Sequence, residues 1–389
     1  MERKLQFRPN ILRAHGASES ETQELLAYNS NIFEGAGRLD LVFPLPDEPF
    51  VKTWKDYAHE VAAAGTFSVL AKYLVQLQFP VKAGMSQDSG YLAATSRGAG
   101  FGREDSLRLE LRAPESCYVA LHPTPAGHIP LMIAEDREDF AALVRALARR
   151  NEPEPIPPSM GACMVSGYNN WGRVFSLLNT KGTMQPLEPA LYQDRFIILS
   201  KGYYSGVQPE DLGMGAADWR ELSFIIRREH ESTHYFTRRV FSSMRNYLLD
   251  EILADYCGIV TAAGRFRADW MLRFFGLERF PEYRTGARLE NYKGNPKLSA
   301  GAFVVLQKLV KHAADNLQAM NQLDTERQQF AYPVRALLTL STFTLEELAS
   351  SNAHDLLREA LAPGKEQEIT PLGLGPTQPE SPTRALSQV

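Results

Sequence analysis

The stretch that constrains this chain most is Arg228-Glu229-His230-Glu231-Ser232-Thr233-His234-Tyr235, because its polar residues act together only on a helix. Helical positions four apart lie about 40° apart around the axis and one turn along it, so His230 and His234 face the same way. Two imidazoles so placed can bind one Zn²⁺, with Glu231 beside them as a base for metal-bound water. The surrounding residues predict that helix. Asp218 and Glu221 offer a capping box, and Leu222, Phe224, Ile225 and Ile226 begin an apolar run. After Phe241, residues 242–246 read as a turn, and a second helix is predicted from Tyr247 to Ala263 with Gly264 as a left-handed cap.

The second helix carries Glu251, seventeen residues after His234, and Asp255 one turn further on the same face. Leu248, Leu249, Ile252 and Leu253 beside them imply that this face is at least partly buried. A buried carboxylate is costly without a cation or hydrogen-bond partner, and a metal with its histidines supplies both. Glu251 is therefore the expected third ligand, and Asp255 is placed to hold a ligand histidine. The plain alternative makes all five residues ordinary helix positions, with Glu231, Glu251 and Asp255 as surface charges. The capped amphipathic helix and the shared face of the two acids argue against it.

At residues 218–264 the chain resembles the gluzincin group of zinc metallopeptidases, the thermolysin-like arrangement of H-E-x-x-H followed on a second helix by E-x-x-x-D. The resemblance implies that His230, His234 and Glu251 ligate zinc and that Glu231 is general base and proton shuttle. It also implies that Asp255 orients His230 through its outer ring nitrogen. Two features depart from typical members: the gap between His234 and Glu251 is a few residues shorter, and Asp250 stands where many carry Asn.

The rest of the chain predicts an α+β protein: a mixed N-terminal part, and a mainly helical, zincin-like metal-binding part with an edge strand before the H-E-x-x-H helix. At 389 residues, with 44% hydrophobic content, there is enough apolar material for a sizeable core, and two domains or one elaborated domain are expected. The proline-rich residues 151–160 predict a connector between an N-terminal domain (1–150) and a catalytic domain (161–362), with a disordered tail at 363–389.

In the N-terminal part, Ser18 and Glu21 form a capping-box pattern, and a long helix is predicted from Thr53 to Phe79 with Gly65 able to interrupt it. Residues 84–105 are Gly- and Ser-rich and read as loop. Short strands are predicted at Leu107–Leu111, Cys117–Leu121 and His128–Ile133, with a helix from Asp136 to Arg149. Residues 160–172 read as a tight turn with a buried Trp171, or as a loop contacting a ligand. Arg195–Ser200 reads as a strong strand able to take an extended peptide by edge addition. Helices are predicted at 299–321, at 325–341, and from a Thr344 cap to Leu361.

Charge and cysteine usage exclude several classes. A formal net charge of −4 gives no case for nucleic acid or an anionic membrane as partner. Cys117, Cys163 and Cys257 are too widely spaced for a disulfide framework or a cysteine zinc site. With no secretory apolar core at the N-terminus and no run long enough to span a bilayer, a cytoplasmic protein is expected.

The leading functional expectation is a zinc-dependent hydrolase of a peptide or small amide substrate. Two alternatives use the same residues: a non-haem Fe(II) enzyme, which has no use for Glu231, and a non-catalytic module in which zinc ties two helices. A developing oxyanion needs a donor besides zinc. The candidates are His312, Tyr283, Arg284, Arg288 and Tyr292, each of which also has an ordinary structural reading.

Overall fold

The computed structural model describes residues 2–33, 41–103, 107–181, 187–243, 247–325 and 334–360. Helices α1 (Glu2–Ala14) and α2 (Glu19–Tyr28) open the chain, and the expected Ser18–Glu21 capping box starts α2. Gly65, at φ 86°, divides the long helix predicted for 53–79 into α3 (Phe50–Ala64) and α4 (Thr66–Tyr73). A φ in that range is available to glycine at little cost. The Gly- and Ser-rich stretch is not loop throughout: Asp88 caps α5 (Ser89–Arg97) through its side chain. The strand predicted at Leu107–Leu111 does not form, and the Leu109 amide bonds Leu77 instead.

Strands β1 (Cys117–Thr124) and β2 (Gly127–Ala134) form an antiparallel hairpin, and α6 (Arg137–Ala148) follows with Asp136 as its side-chain cap. Residues 162–169, expected to lie in a turn, form β3 (Ala162–Asn169). Helix α7 (Trp171–Lys181) then begins at the buried Trp171. Helix α8 (Pro189–Tyr192) leads into β4 (Gln193–Ser200).

The sheet order is β1-β2-β4-β3, with β4 parallel to β2 and antiparallel to β3. The strand before the metal helix is thus central, not the edge strand expected. The unbroken run Phe196-Ile197-Ile198-Leu199, fully buried, is the pattern of a strand covered on both faces. The edge on this side is β3.

The sheet also corrects the domain division. Strands from either side of residues 151–160 pair in it, and one apolar core runs from Leu12 to Leu357. The proline-rich stretch is itself anchored, since Asn151 is buried and its amide donates to the carbonyls of Gln76 and Phe79. It connects elements within one packed body. The tail expected at 363–389 lies outside the described residues.

Successive residues of β4 point to opposite faces. Trp54 of α3 meets Phe196 at 4.9 Å between rings, so α3 covers one face. The Arg195 guanidinium lies over Tyr235 of α9 (Ala216–Phe241), which covers the other. Helix α9 begins three residues earlier than predicted, with Gly215 and not Asp218 at its cap. Helix α10 (Leu248–Ala263) packs antiparallel along α9 and ends at Gly264 in the left-handed conformation, as predicted. Gly258 allows the close approach: a Cβ there would stand 2.7 Å from the Ile226 carbonyl oxygen. The turn between them includes residues 244–246, which lie outside the described set.

Helices α11 (Ala268–Phe275), α12 (Ala300–Thr325), α13 (Val334–Leu340), α14 (Leu345–Ala349) and α15 (Ala353–Ala360) complete the described chain. The Thr344–Glu347 capping box is present, but the extended backbone of Ser350 ends α14 well short of Leu361. No described helix is long and apolar enough to cross a membrane.

Candidate metal centre

Helix α9 presents His230 and His234 to α10, and α10 returns Glu251 between them. The two Nε2 atoms are 3.1 Å apart, and they lie 3.4 and 3.5 Å from the two Glu251 carboxylate oxygens. All three residues are at most 8% exposed. One ligand atom from each falls within 4.8 Å of the others, the one such group among the described residues. Bonds of about 2.0–2.1 Å at tetrahedral angles place ligand atoms roughly 3.3 Å apart, so the spacing fits a single zinc ion.

The outer nitrogens decide which lone pairs face inward. His230 Nδ1 is 2.9 Å from Asp255 Oδ1, and His234 Nδ1 is 3.0 Å from Asp250 Oδ2. An ionised carboxylate only accepts, so each Nδ1 carries the proton and each Nε2 offers its lone pair to the centre. Asp255 thus holds His230, as the resemblance implied. The role of Asp250 was missed. Its signal was the charge at a position where many resembling sequences have Asn.

Asp255 is itself fixed on all sides. The Tyr204 hydroxyl donates to its Oδ1 at 2.7 Å and also lies 2.9 Å from His230 Nδ1. Arg288 donates to Asp255 Oδ2 through Nη2 and to the Tyr204 oxygen through Nη1. Asp250, by contrast, is fully buried, and its second oxygen has no partner among the described residues.

The electrostatics favour a cation. Burial by itself lowers a histidine, yet hydrogen bonds to Asp255 and Glu251 hold His230 above its ordinary value. His234 is raised further by Asp250 and Glu251, again against burial. Burial likewise opposes charge on Glu251, but its hydrogen bonds to the two histidines hold it far below the ordinary carboxylate range. Positive charge is stabilised where the three groups meet, and protons and a divalent ion compete for that position.

Glu231 is half-buried and has no hydrogen bond or ion pair with any described residue. Burial and then the Glu231 charge push the Cys163 thiol of β3 up to about 11, which places this carboxylate within electrostatic reach of the edge strand.

The five oxyanion candidates separate clearly. His312 is not at the centre: its Nδ1 lies 2.9 Å from His15 Nε2, in a cleft of about 1040 Å³ beside α1 and α12. Tyr283 donates to the Ala287 carbonyl, and Arg284 pairs with Glu278 and caps the Arg273 carbonyl. Arg288 reaches the centre but is committed to Asp255. Tyr292 also stays close, and burial followed by the Glu251 charge pushes its phenol far up.

An α+β fold with a two-histidine, one-glutamate centre on paired helices is the class these features define. The chain belongs to a family of unknown function, DUF7005, whose profile matches residues 10–352. No curated protein and no solved structure matches it.

Proposed function

We propose that this protein is a zinc-dependent metallohydrolase of the gluzincin type, acting on a peptide or small amide in the cytoplasm. The observation that carries the proposal is the convergence of both Nε2 atoms and the Glu251 carboxylate at ligand spacing, with each outer Nδ1 held by a carboxylate. His230, His234 and Glu251 would hold the ion, and three protein ligands leave a position open for water or substrate. When bound, zinc acidifies water and polarises a carbonyl.

The chain's own groups account for the proton. Glu231, unpartnered and beside His230, accepts one as water adds to the carbonyl carbon. It returns it to the amine nitrogen as the C–N bond breaks. Of the five candidates, Tyr292 beside Glu251 is the one left to donate to a developing oxyanion, and β3 takes over the strand-addition role expected of β4. Three free cysteines accord with a reducing compartment.

The deciding experiment compares metal content and peptide hydrolysis of the purified protein with those of Glu231→Gln. The variant should hold the same zinc and lose turnover. Iron as the bound metal, or full activity in the variant, overturns the proposal.

A further inference from the structure

The loop that leads from Tyr292 to α12 has little apolar backing of its own. Of residues 293–299 only Leu298 is buried, and its amide bonds the Lys293 carbonyl at 2.7 Å, which closes the base of the loop. An exposed loop without a core of its own samples other arrangements unless something pins it.

Helix α2 pins this loop at both ends. The Tyr28 hydroxyl donates to the Tyr292 carbonyl, just before the closed base. The Glu24 carboxylate accepts from the Ser299 amide and, at 2.7 Å, from the Ser299 hydroxyl, just after it. Glu24 and Tyr28 are four residues apart and so project from one face of α2, one turn from each other. That matches a loop whose two ends the Lys293–Leu298 bond draws together. Gly294 admits the Tyr28 ring: its φ is 80°, and a Cβ there would stand 3.0 Å from the ring.

The residue held by Tyr28 belongs to the metal centre. Tyr292 ends the short helical turn Arg288–Tyr292, and Arg288 at its start donates to Asp255 and to the Tyr204 oxygen. The Tyr292 ring meets Phe275 edge-on at 6.3 Å, and the Arg288 guanidinium lies over that same Phe275 ring at 4.6 Å. The Glu251 charge acts on the Tyr292 phenol. Arg288 and Phe275 thus fix the turn and the ring, and Tyr28 fixes the Tyr292 main chain.

A tyrosine that bonds a loop carbonyl is ordinarily a packing tie. Here the peptide unit it holds is that of the residue whose phenol stands beside Glu251. A donor misplaced by about an ångström forfeits much of its effect on a transition state.

Resting on the hydrolase reading above, with Tyr292 as the donor to the oxyanion, we propose that Tyr28 is a positioning residue for that donor. Helix α2, through Tyr28 and Glu24, braces the loop from which Tyr292 works. The N-terminal helices then serve the reaction as well as the core.

The test is a double-substitution cycle on the zinc-loaded full chain. The probe is whichever internally quenched peptide of a randomised set the wild type cleaves fastest. Tyr292→Phe should lower kcat by about a hundredfold. Tyr28→Phe keeps the ring and loses only the hydroxyl. It should lower kcat by about three- to tenfold, the scale of one hydrogen bond, at unchanged KM and zinc content. With Tyr292→Phe already present it should have no further effect. Glu24→Gln should follow the same pattern with a smaller fall, and it gives the same reading if Tyr28→Phe does not fold. A tie that serves folding alone reduces the amount of active protein by one factor in both backgrounds, so the two falls would multiply. Multiplying falls, an unchanged kcat in Tyr28→Phe, or a Tyr292→Phe variant as active as the wild type overturns the proposal. Failure of the hydrolase reading shows separately, as a wild-type protein that takes up no zinc or cleaves none of the peptides, and it removes this proposal with it.

Discussion

His230 and His234 bring ring nitrogens to 3.1 Å, and His15 and His312 bring theirs to 2.9 Å, yet the two pairs have different surroundings. In the first pair both outer nitrogens donate to buried carboxylates, and Glu251 closes the inner side. In the second, His15 Nδ1 meets the Ile11 carbonyl and no carboxylate comes within ion-pair distance of either ring among the described residues. Burial and then the neighbouring His15 lower His312, the opposite of the direction found at the centre. Two close imidazoles therefore do not by themselves make a candidate cation site. The acids around them distinguish the first pair, by fixing the tautomer and by supplying negative charge of the kind a divalent ion needs.

The largest expected effect breaks the centre outright. Glu251→Ala should weaken zinc binding by about a hundredfold or more, because the roughly 10–16 kcal/mol of a zinc site is shared among few ligands. Competition with a chromogenic chelator measures it, and His312→Ala in the same assay should leave zinc affinity unchanged. Next comes Glu231→Gln, for which hydrolysis should fall by about 10²–10⁴ at constant zinc content.

Smaller effects sharpen the contrast in outer partners. Asp250→Asn and Asp255→Asn should each lower zinc affinity by about 10–100-fold. Asp255→Asn should also lower the melting temperature more than Asp250→Asn, because it strips Arg288 of its buried partner. Equal melting temperatures would remove the asymmetry between the two acids.

The smallest effect belongs to the second pair. A histidine lowered in the fold binds fewer protons than the unfolded chain, so its contribution is present at high pH and declines as pH falls through the ordinary value of 6.5. Denaturant melts at pH 8 and pH 5.5 should show a slightly smaller loss of stability for His312→Gln than for the wild type. Partial exposure keeps the difference small.

The comparison also shows what could be read from residues alone. The α9 and α10 helices, the Gly264 cap, the Thr344 box and the candidate metal ligands were legible because each rests on spacing within one helix or on a capping residue a few positions away. The place of β4 was not, although its unbroken apolar run pointed to burial on both faces. An edge strand and a central one differ by what pairs beside them, and the partners of Ile197 in β4 are Leu131 of β2 and Met164 of β3, 66 and 33 residues earlier in the chain.

The partner of His312 was not legible for the same reason. A lone histidine on a helix carries no mark of which neighbour it meets, and here the neighbour is His15, 297 residues away.

By itself, the sequence determined the inward stripe of H-E-x-x-H and the acid face of α10, because the 3.6-residue period puts those groups together whatever the rest of the chain does. Only the tertiary structure decided how far apart the two faces stand, which carboxylate holds which histidine, and that Arg288 clamps Asp255. These are contacts between elements distant in the chain, set by how the helices and sheet pack and not by any local period.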